Sequence, residues 1–529
     1  MITEQIDLIS IKEASEWASR FLKRQIDTSN ISYLVQYGKI RKYGDNGSTL
    51  IRIGDLKNYY SSLNGTRELS WKNQLGHDLN WHLSFDNLRE KDTTKHVHRL
   101  HPYKGKFIPQ LVEYFLDSKT DDFKKDIYFR KEDIILDPFC GSGTTLVQSN
   151  ELGMHAVGID VSSFNALISN IKINNYDLAA LTHETQKITD ELTEFVSNSN
   201  IIRFESRLAK ELVAFNNKYF PSPEYRYKIE NGKINGAKYG AEKEKEFLPI
   251  YNKLLVEYDI KLFQKKNGNF LDKWYLSNVR SEIDFVFNLI KKIKDRSIKN
   301  VVAVILSRTI RSCRATTHSD LATLIDPVTT VYYCVKHGKI CKPLFSILSW
   351  WQCYSKDTIS RLSQFNKLRT NTSQICLIGD SRTINIPQAL KKYNPNLANQ
   401  VKCNKIAGIF SSPPYVGLID YHEQHAYAYD LFGFSRKDDL EIGPMHKGSG
   451  REARLDYIKG VAGVLNNCKK YLAEDYNVFL VANDKYNLYP DIAKEAGMQI
   501  VNKFKRPVLN RTERDKSAYS EIIFHMKGD

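Results

Sequence analysis

The sequence contains no apolar run approaching the roughly 20 residues that a membrane helix needs. Its opening stretch, "MITEQIDLISIKEASEW", carries two acids early and has no signal-peptide h-region. No membrane partner and a cytoplasmic address are expected. Cysteine is scarce, with 8 residues in 529, too thin for a disulfide-stapled secreted fold, so the thiols are expected to be mostly reduced. No internal repeat or low-complexity tract is present. Acid is short relative to base, with 61 Asp and Glu against 77 Lys and Arg and a formal net charge of +16. That excess suits a polyanionic partner, and it equally suits a merely well-solvated surface. The 42% of hydrophobic residues can fill the cores of two or three domains.

Residues 1–62 read as a small unit. Ile11, Ala14, Trp17, Ala18 and Phe21 recur at helical spacing, and "TSNISYLVQYGKI" reads as a second helix opened by a Ser29/Asn30 cap and closed at Gly38. Two strand-like pieces then flank Asp45-Asn46-Gly47, a hairpin signal, before a third helix in "IGDLKNYYSS". This order resembles the winged helix-turn-helix of the MerR and excisionase group. The resemblance implies a second helix in the major groove and a wing on the backbone, placing Tyr33, Gln36, Tyr37, Arg41 and Lys42 near DNA. A helical docking domain without nucleic acid is the competing reading.

A polar linker leads from residue 63 into "TTKHVHRLHPYKGKFIPQLVEYFL", whose second half is amphipathic, with Pro109 suited to a first helical turn. The most informative stretch follows: "ILDPFCGSGTTLVQSNELGMHAVGID", Ile135 to Asp160. A strand ends at Asp137, a Gly-rich turn lets backbone approach a ligand, a helix begins near Thr144, and a second strand ends at Asp160. An acid at the end of the second strand can accept hydrogen bonds from two ribose hydroxyls. The loop fits neither the dinucleotide nor the P-loop spacing and offers no lysine for a γ-phosphate.

After residue 371, five β-rich runs alternate with helical or loop segments: "SQICLIGDSR", "IAGIFSSPPYVG", "NVFLVANDK", "MQIVNKF" and "EIIFHMK". With "EDIILD" and "HAVGID" they make seven strands. The expected fold is α/β, a Rossmann-like, mostly parallel sheet with helices on both faces, whose last two strands form an antiparallel hairpin at one edge. Between them, residues 175–370 read as helical pieces with basic, aromatic-laced stretches, suited to nucleic acid or to an ordinary solvated domain. Ser412-Pro413-Pro414-Tyr415 follows the apolar strand "IAGIF". Two prolines stiffen the chain and remove two N–H donors. The Ser412 hydroxyl and the Pro413 carbonyl remain as acceptors beside an aromatic face, which suits an exocyclic amino group on a base swung out of the duplex.

The pairing of "DPFCGSGTT" with "SPPY" resembles the S-adenosylmethionine-dependent DNA amino-methyltransferases, which modify cytosine N4 or adenine N6. The resemblance covers residues 63–174 and 371–529, the two parts of one methyltransferase domain, and implies that the insert 175–370 recognises the target. It implies that Asp137, Pro138, Phe139, Gly141, Ser142, Gly143 and Thr144 wrap the methionine part of S-adenosylmethionine, that Asp160 binds the ribose, and that Asp380 lies near the adenine. "HPYKGKFIPQL" matches the family's motif ten at His101, Tyr103, Lys106, Phe107 and Pro109. Of these, Tyr103, Lys106 and Phe107 are the expected cofactor contacts. Ser412, Pro413, Pro414 and Tyr415 carry the implied catalysis, with Ser412 and the Pro413 carbonyl holding the amine and Tyr415 stacking on the flipped base. Ser at the first motif position is commoner among the cytosine-N4 enzymes, so duplex DNA methylated at cytosine N4, in a restriction-modification or other defence system with a possible cognate endonuclease, is the leading reading.

Three alternatives stay open. Adenine N6 keeps the mechanism, and the order of motifs departs from the usual Ser-Pro-Pro-Tyr pattern. The tRNA guanine-N2 enzymes pair a similar loop with Pro-Pro-Tyr, but carry Asp before the prolines. An inactive methyltransferase fold serving as a DNA-binding regulator sits poorly with intact Gly141, Gly143, Asp160 and Tyr415. Cys140 reads as a small packing residue. Cys313, His318, Cys334, His337, Cys341 and Cys353 cluster in the insert, with a C-x2-H-x3-C spacing compatible with zinc. They match no standard finger and are read as core residues, so no metal is assigned. "HEQHAYAYDLFG" reads as a helix packing near the base pocket.

Overall fold

The computed structural model describes residues 8–22, 25–44, 49–61, 79–85, 88, 90–262, 268–318, 324–508 and 519–528. The strands, in chain order, are β1 (Leu8–Ser10), β2 (Leu50–Arg52), β3 (Ile134–Asp137), β4 (His155–Asp160), β5 (Tyr332–Cys334), β6 (Lys339–Cys341), β7 (Gln374–Ile378), β8 (Ile406–Ser411), β9 (Leu472–Ala482), β10 (Met498–Pro507) and β11 (Ser520–Gly528).

Seven of these form one sheet in the order β10-β11-β9-β8-β3-β4-β7. The pairs β8–β9, β3–β8, β3–β4 and β4–β7 are parallel, while β11 runs antiparallel to both neighbours. The expected fold class and antiparallel edge hairpin are what is found. The chain order reverses between β3 and β8, so the carboxyl ends of β3, β4 and β8 open side by side onto a crevice, the place where such sheets bind ligands. β8 and β9 approach closely: a Cβ at Gly408 would sit 2.0 Å from the Asn477 carbonyl oxygen. Glycine there is a requirement of strand packing.

Two apolar cores flank the sheet. One holds Leu136, Val157, Ile409, Val461, Leu465 and Leu480. The other runs without a break from Phe115, Leu146 and Phe164 into Leu181, Leu192, Ile283, Val302 and Trp351 of the insert. The long insert helices Leu178–Ser197, Ser277–Lys292, Arg296–Ser312 and Leu348–Asn366 thus share their core with the sheet. The insert also contains the small antiparallel hairpin β5–β6, which the sequence did not announce because each strand is only three residues long.

The N-terminal unit has its own core around Ala14, Ala18, Ile31, Leu34, Ile51 and Leu56. Helices Ile11–Leu22, Thr28–Gln36 and Ile53–Tyr59 fall where helical spacing placed them. The second helix is capped two to three residues earlier than expected. Asp27 is the N-cap, and the Asn30 side chain accepts from the Asp27 N–H at 3.0 Å. Gly38 closes it at φ +69°. Tyr43 bridges Leu50 in antiparallel fashion, while the Asp45-Asn46-Gly47 turn lies outside the described residues, as does most of the linker from residue 63. Among the described residues, no helix is long and apolar enough to cross a membrane.

Candidate active site

The Gly-rich loop is built by its neighbours. The Gly141 N–H donates to Asp160 Oδ2 at 2.8 Å, and the Ser162 N–H donates to the other carboxylate oxygen at 2.8 Å. The Asp160 carboxylate therefore ties the first loop to the end of β4 while still facing the crevice. Burial pushes its pKa up to about 6, against the hydrogen bonds from Ser162 and Gly141 that favour the charged form. Gly141 and Gly143 take φ +51° and +75°, a region open to glycine. A Cβ on Gly141 would also lie 2.9 Å from the Tyr103 hydroxyl oxygen, and one on Gly143 would lie 2.9 Å from Ser169 Cβ. Lys172, buried within the helix Ser163–Ile173, donates its Nζ to the Ser142 carbonyl at 2.5 Å.

The resulting cleft encloses about 870 Å³, part of it open to solvent. Tyr103, Lys106 and Phe107 form one wall; Pro138, Phe139, Gly141, Ser142 and Thr144 form the floor; Asp160 and Asp380 face it from the ends of β4 and β7; Ser412 and Pro414 close it beside β8. The fit to a nucleoside with a charged amino-acid tail is tested by one atom. The Ser142 Oγ is buried with no protein partner, a cost that a polar ligand in the loop removes. Asp380 is held by a bidentate Arg382 at 2.9 and 2.8 Å. Burial alone would raise the Asp380 carboxyl, and the guanidinium overrides it, holding the group below its usual range.

Two of the expected cofactor residues stand behind the cleft wall. Asp137 is buried beneath the loop, accepting from Ser411 Oγ at 2.5 Å and from the Phe139 N–H at 3.2 Å. Gly143 packs against Ser169, making room for the helix Ser163–Ile173. Cys140 is buried where Gly158 leaves space for its sulfur, and it also lines the cleft.

Ser412 Oγ donates to the Val481 carbonyl at 3.0 Å, which leaves its lone pairs as acceptors. Pro413 is buried and Pro414 borders the cleft. Tyr415 does not line the cleft; its hydroxyl donates to Glu521 on β11 at 3.0 Å. Burial, then the Glu521 carboxylate, pushes that hydroxyl well above its usual pKa. Lys106 donates to the His98 carbonyl at 2.6 Å, and burial lowers its pKa to about 8.

Several lining residues escaped the sequence reading: Ser162, Asn165, Tyr421, Glu441 and Ile442. Tyr421 stacks on Tyr103 with centroids 5.8 Å apart. Glu441 bonds both the ring and the backbone of His422. His422, in the stretch expected near the pocket, lines it, but nothing local marks Glu441, which arrives from a loop 19 residues on.

In the N-terminal unit, Gln36 and Arg41 are exposed and Tyr33 is 37% exposed. Tyr37 is not turned outward. It stacks on Tyr33 at 4.1 Å and lies under the Arg226 guanidinium, 4.8 Å from its ring centroid. Lys42 is half-buried. Of the six clustered Cys and His residues, His318, Cys334, His337 and Cys341 come together, whereas Cys313 is a buried core residue and Cys353 is exposed.

A seven-stranded sheet with one antiparallel strand, a glycine loop at its switch point and an acid after the second strand define a methyltransferase-type α/β domain. Comparisons with known proteins carry this further. Residues 27–170 match the family described as DNA methylase. The chain is 46% identical over 528 residues to the type II methyltransferase M.MjaII of Methanocaldococcus jannaschii, covering 98% of this chain and 97% of that protein. It is 31% identical over 117 residues to the type II methyltransferase M.MvaI of Kocuria varians, covering 22% of this chain and 24% of that one. The chain belongs to the type II DNA methyltransferases, S-adenosylmethionine-dependent enzymes that methylate DNA. Among solved structures, the rRNA methyltransferase aviRa of Streptomyces viridochromogenes aligns with a TM-score of 0.27 at 10% identity, over 83% of this chain and 94% of that one.

Proposed function

We propose that this protein methylates the exocyclic N4 of cytosine within a specific sequence of duplex DNA, taking the base out of the stack to do so. The observation that carries the reading is the shared cleft. The Ser412–Pro414 turn at the end of β8 and the glycine loop at the end of β3 open onto the same space, on adjacent parallel strands.

S-adenosylmethionine supplies, when bound, an electrophilic methyl on a sulfonium. The protein's own part is to position an amine that is a poor nucleophile, because its lone pair is shared with the ring. Ser412 is suited to accept one N–H of that amine, since its own hydrogen is committed to Val481. The Pro413 carbonyl is suited to accept the other, and neither proline offers an N–H that would compete. Two acceptors in the plane of the amine would draw its lone pair out of conjugation and aim it at the face of the cleft from which the donor would offer its methyl. The displaced N–H proton then passes to solvent. Positioning and fixed dipoles supply the rate, and no cysteine nucleophile is required. In this reading Tyr415 is the stacking platform for the extruded base, Asp160 accepts from the ribose, and Tyr103, Lys106 and Phe107 close over the methionine end.

The insert 175–370 is assigned target recognition, and residues 1–62 a further DNA contact of winged helix-turn-helix type. A neutral Ser412 at the head of the motif favours cytosine N4 over adenine N6. A restriction-modification setting with a partner endonuclease, in the cytoplasm, accords with the type II relatives. Single-molecule methylation sequencing of plasmid DNA from cells expressing the protein, beside a Tyr415→Ala control, tests this. N4-methylcytosine at one short motif, absent from the control, is expected. N6-methyladenine would overturn the base assignment, and unmodified plasmid would overturn the DNA substrate.

A further inference from the structure

We propose that His318, Cys334, His337 and Cys341 form a zinc site that holds the β5–β6 hairpin of the insert. One donor atom from each lies within 4.8 Å of all the others. Cys334 Sγ is 3.8 Å from His318 Nδ1, and Cys341 Sγ is 3.5 Å from His337 Nδ1. A tetrahedral zinc with Zn–S of about 2.3 Å and Zn–N of about 2.0–2.1 Å has sulfur-to-nitrogen edges of roughly 3.6 Å. The two observed edges bracket that value. The imidazoles of His318 and His337 lie together, with centroids 4.3 Å apart.

The local fold explains how four distant-looking residues meet. Cys334 ends β5 and Cys341 ends β6, and the turn between them brings the His337 and Gly338 N–H groups onto the Cys334 carbonyl at 3.1 and 2.7 Å. Gly338 takes φ +61° to make this possible. His318 arrives from the segment after the helix Arg296–Ser312. The Tyr332 hydroxyl accepts the His318 backbone N–H at 3.2 Å and contacts Nδ1 at 2.7 Å, a contact that a cation on that nitrogen displaces.

Each strand of the hairpin has three residues. Ile340 and Tyr333 turn one face into the main core, while the other face holds only the small cluster of Tyr332, Cys334 and Cys341 against Val328. A metal would tie down that second face, where apolar packing is slight. Two thiolates and two neutral imidazoles cancel the charge of a divalent ion, and binding releases the thiol protons. The mixed sulfur and nitrogen set selects zinc over magnesium or calcium. The site also sits beside the docking point of the N-terminal unit, because the Lys336 carbonyl in the hairpin turn accepts from Arg226, whose guanidinium covers Tyr37.

The test is metal analysis of the full-length protein, purified without chelator or metal-affinity tag. One zinc per chain is expected, lost in Cys334→Ser/Cys341→Ser and kept in Cys353→Ser, whose thiol is exposed and outside the cluster. Cobalt(II) added to chelator-stripped wild-type protein should give tetrahedral visible bands with thiolate charge transfer, a readout independent of whether the double variant folds. A zinc-free protein without those bands overturns the proposal, as does zinc retained in the double variant or a Cys334–Cys341 disulfide found by mass after alkylation.

Discussion

The Ser411 hydroxyl donates to the buried Asp137 carboxylate at 2.5 Å, joining two residues 274 positions apart in the chain. Ser411 directly precedes the Ser412-Pro413-Pro414-Tyr415 turn, and Asp137 directly precedes the Pro138–Thr144 loop. One hydrogen bond therefore sets the separation between the segment assigned to the methyl donor and the segment assigned to the acceptor. Thr145, at the start of the helix above the loop, donates to the Phe410 carbonyl at 3.2 Å and repeats the link one residue away.

Ser411→Ala should cost about 1–3 kcal/mol of stability, because it leaves a buried carboxylate short of a donor. Burial holds the Asp137 pKa at about 6, against roughly 3.9 in an unfolded chain. The native state thus keeps this proton longer. The group's contribution is fully present below about pH 4 and is lost as pH rises through about 6. Asp137→Asn should remove that part of the slope, and urea denaturation of both proteins between pH 4 and 7 measures the difference.

Asp160 titrates over the same range but acts on the ligand. Its pKa of about 6 means that the carboxylate needed for ribose hydroxyls is lost below that pH. S-adenosylmethionine affinity should weaken as pH falls through about 6, approaching tenfold per unit below it. Calorimetric titration across that range should show the fall in wild type and in Asp137→Asn, and a flat, weak profile in Asp160→Asn. A fall persisting in Asp160→Asn would assign the titration to another group.

The sheet was legible because its strands are continuous apolar runs ended by Asp137, Asp160 and Ser411, and period and punctuation suffice for a buried parallel sheet. The glycine loop was legible because φ above zero leaves few residue choices. What stayed hidden depends on distance in sequence. Nothing around Asp137 says that its partner is Ser411 and that it therefore stands behind the cleft. Nothing in "LEIGP" says that Glu441 returns to His422. The inward turn of Tyr37 depends on Arg226, which lies in another segment altogether. The cluster of His318, Cys334, His337 and Cys341 was visible as a composition but not as a geometry, since the three-residue strands that close it fall below any periodic signal.

Removing the Ser412 hydroxyl with Ser412→Ala should lower kcat by about 10²-fold with little change in S-adenosylmethionine affinity, because the lost acceptor acts on the amine. Tyr415→Phe removes only the bond to Glu521 at 3.0 Å and should retain most activity. Tyr415→Ala removes the stacking face as well and should raise the DNA KM and lower kcat. Steady-state kinetics on an oligonucleotide, with cofactor affinity measured separately, distinguish these. Equal losses in Tyr415→Phe and Tyr415→Ala would give the role to the hydroxyl instead.

The N-terminal unit offers a prediction in which docking and DNA contact separate. Gly38 leaves no room for a side chain, since a Cβ would sit 2.7 Å from the Arg226 carbonyl carbon and the Tyr227 nitrogen. Gly38→Ala is also strained at φ +69°, so it should push the second helix off the insert while leaving the methyltransferase core intact. Arg41 is exposed, with its guanidinium over Tyr43 and Tyr227. If it meets a phosphate, Arg41→Ala should weaken binding of all duplex sequences alike and reduce the slope of log affinity against log salt by about one. Gln36→Ala, on the exposed face of the helix, should instead relax discrimination between sequences. Fluorescence anisotropy at several salt concentrations, on specific and scrambled duplexes, reads both. Unchanged slopes and affinities in Arg41→Ala and Gln36→Ala, together with full DNA affinity in Gly38→Ala, would make residues 1–62 a docking domain that never touches DNA, and would leave target reading to the insert alone.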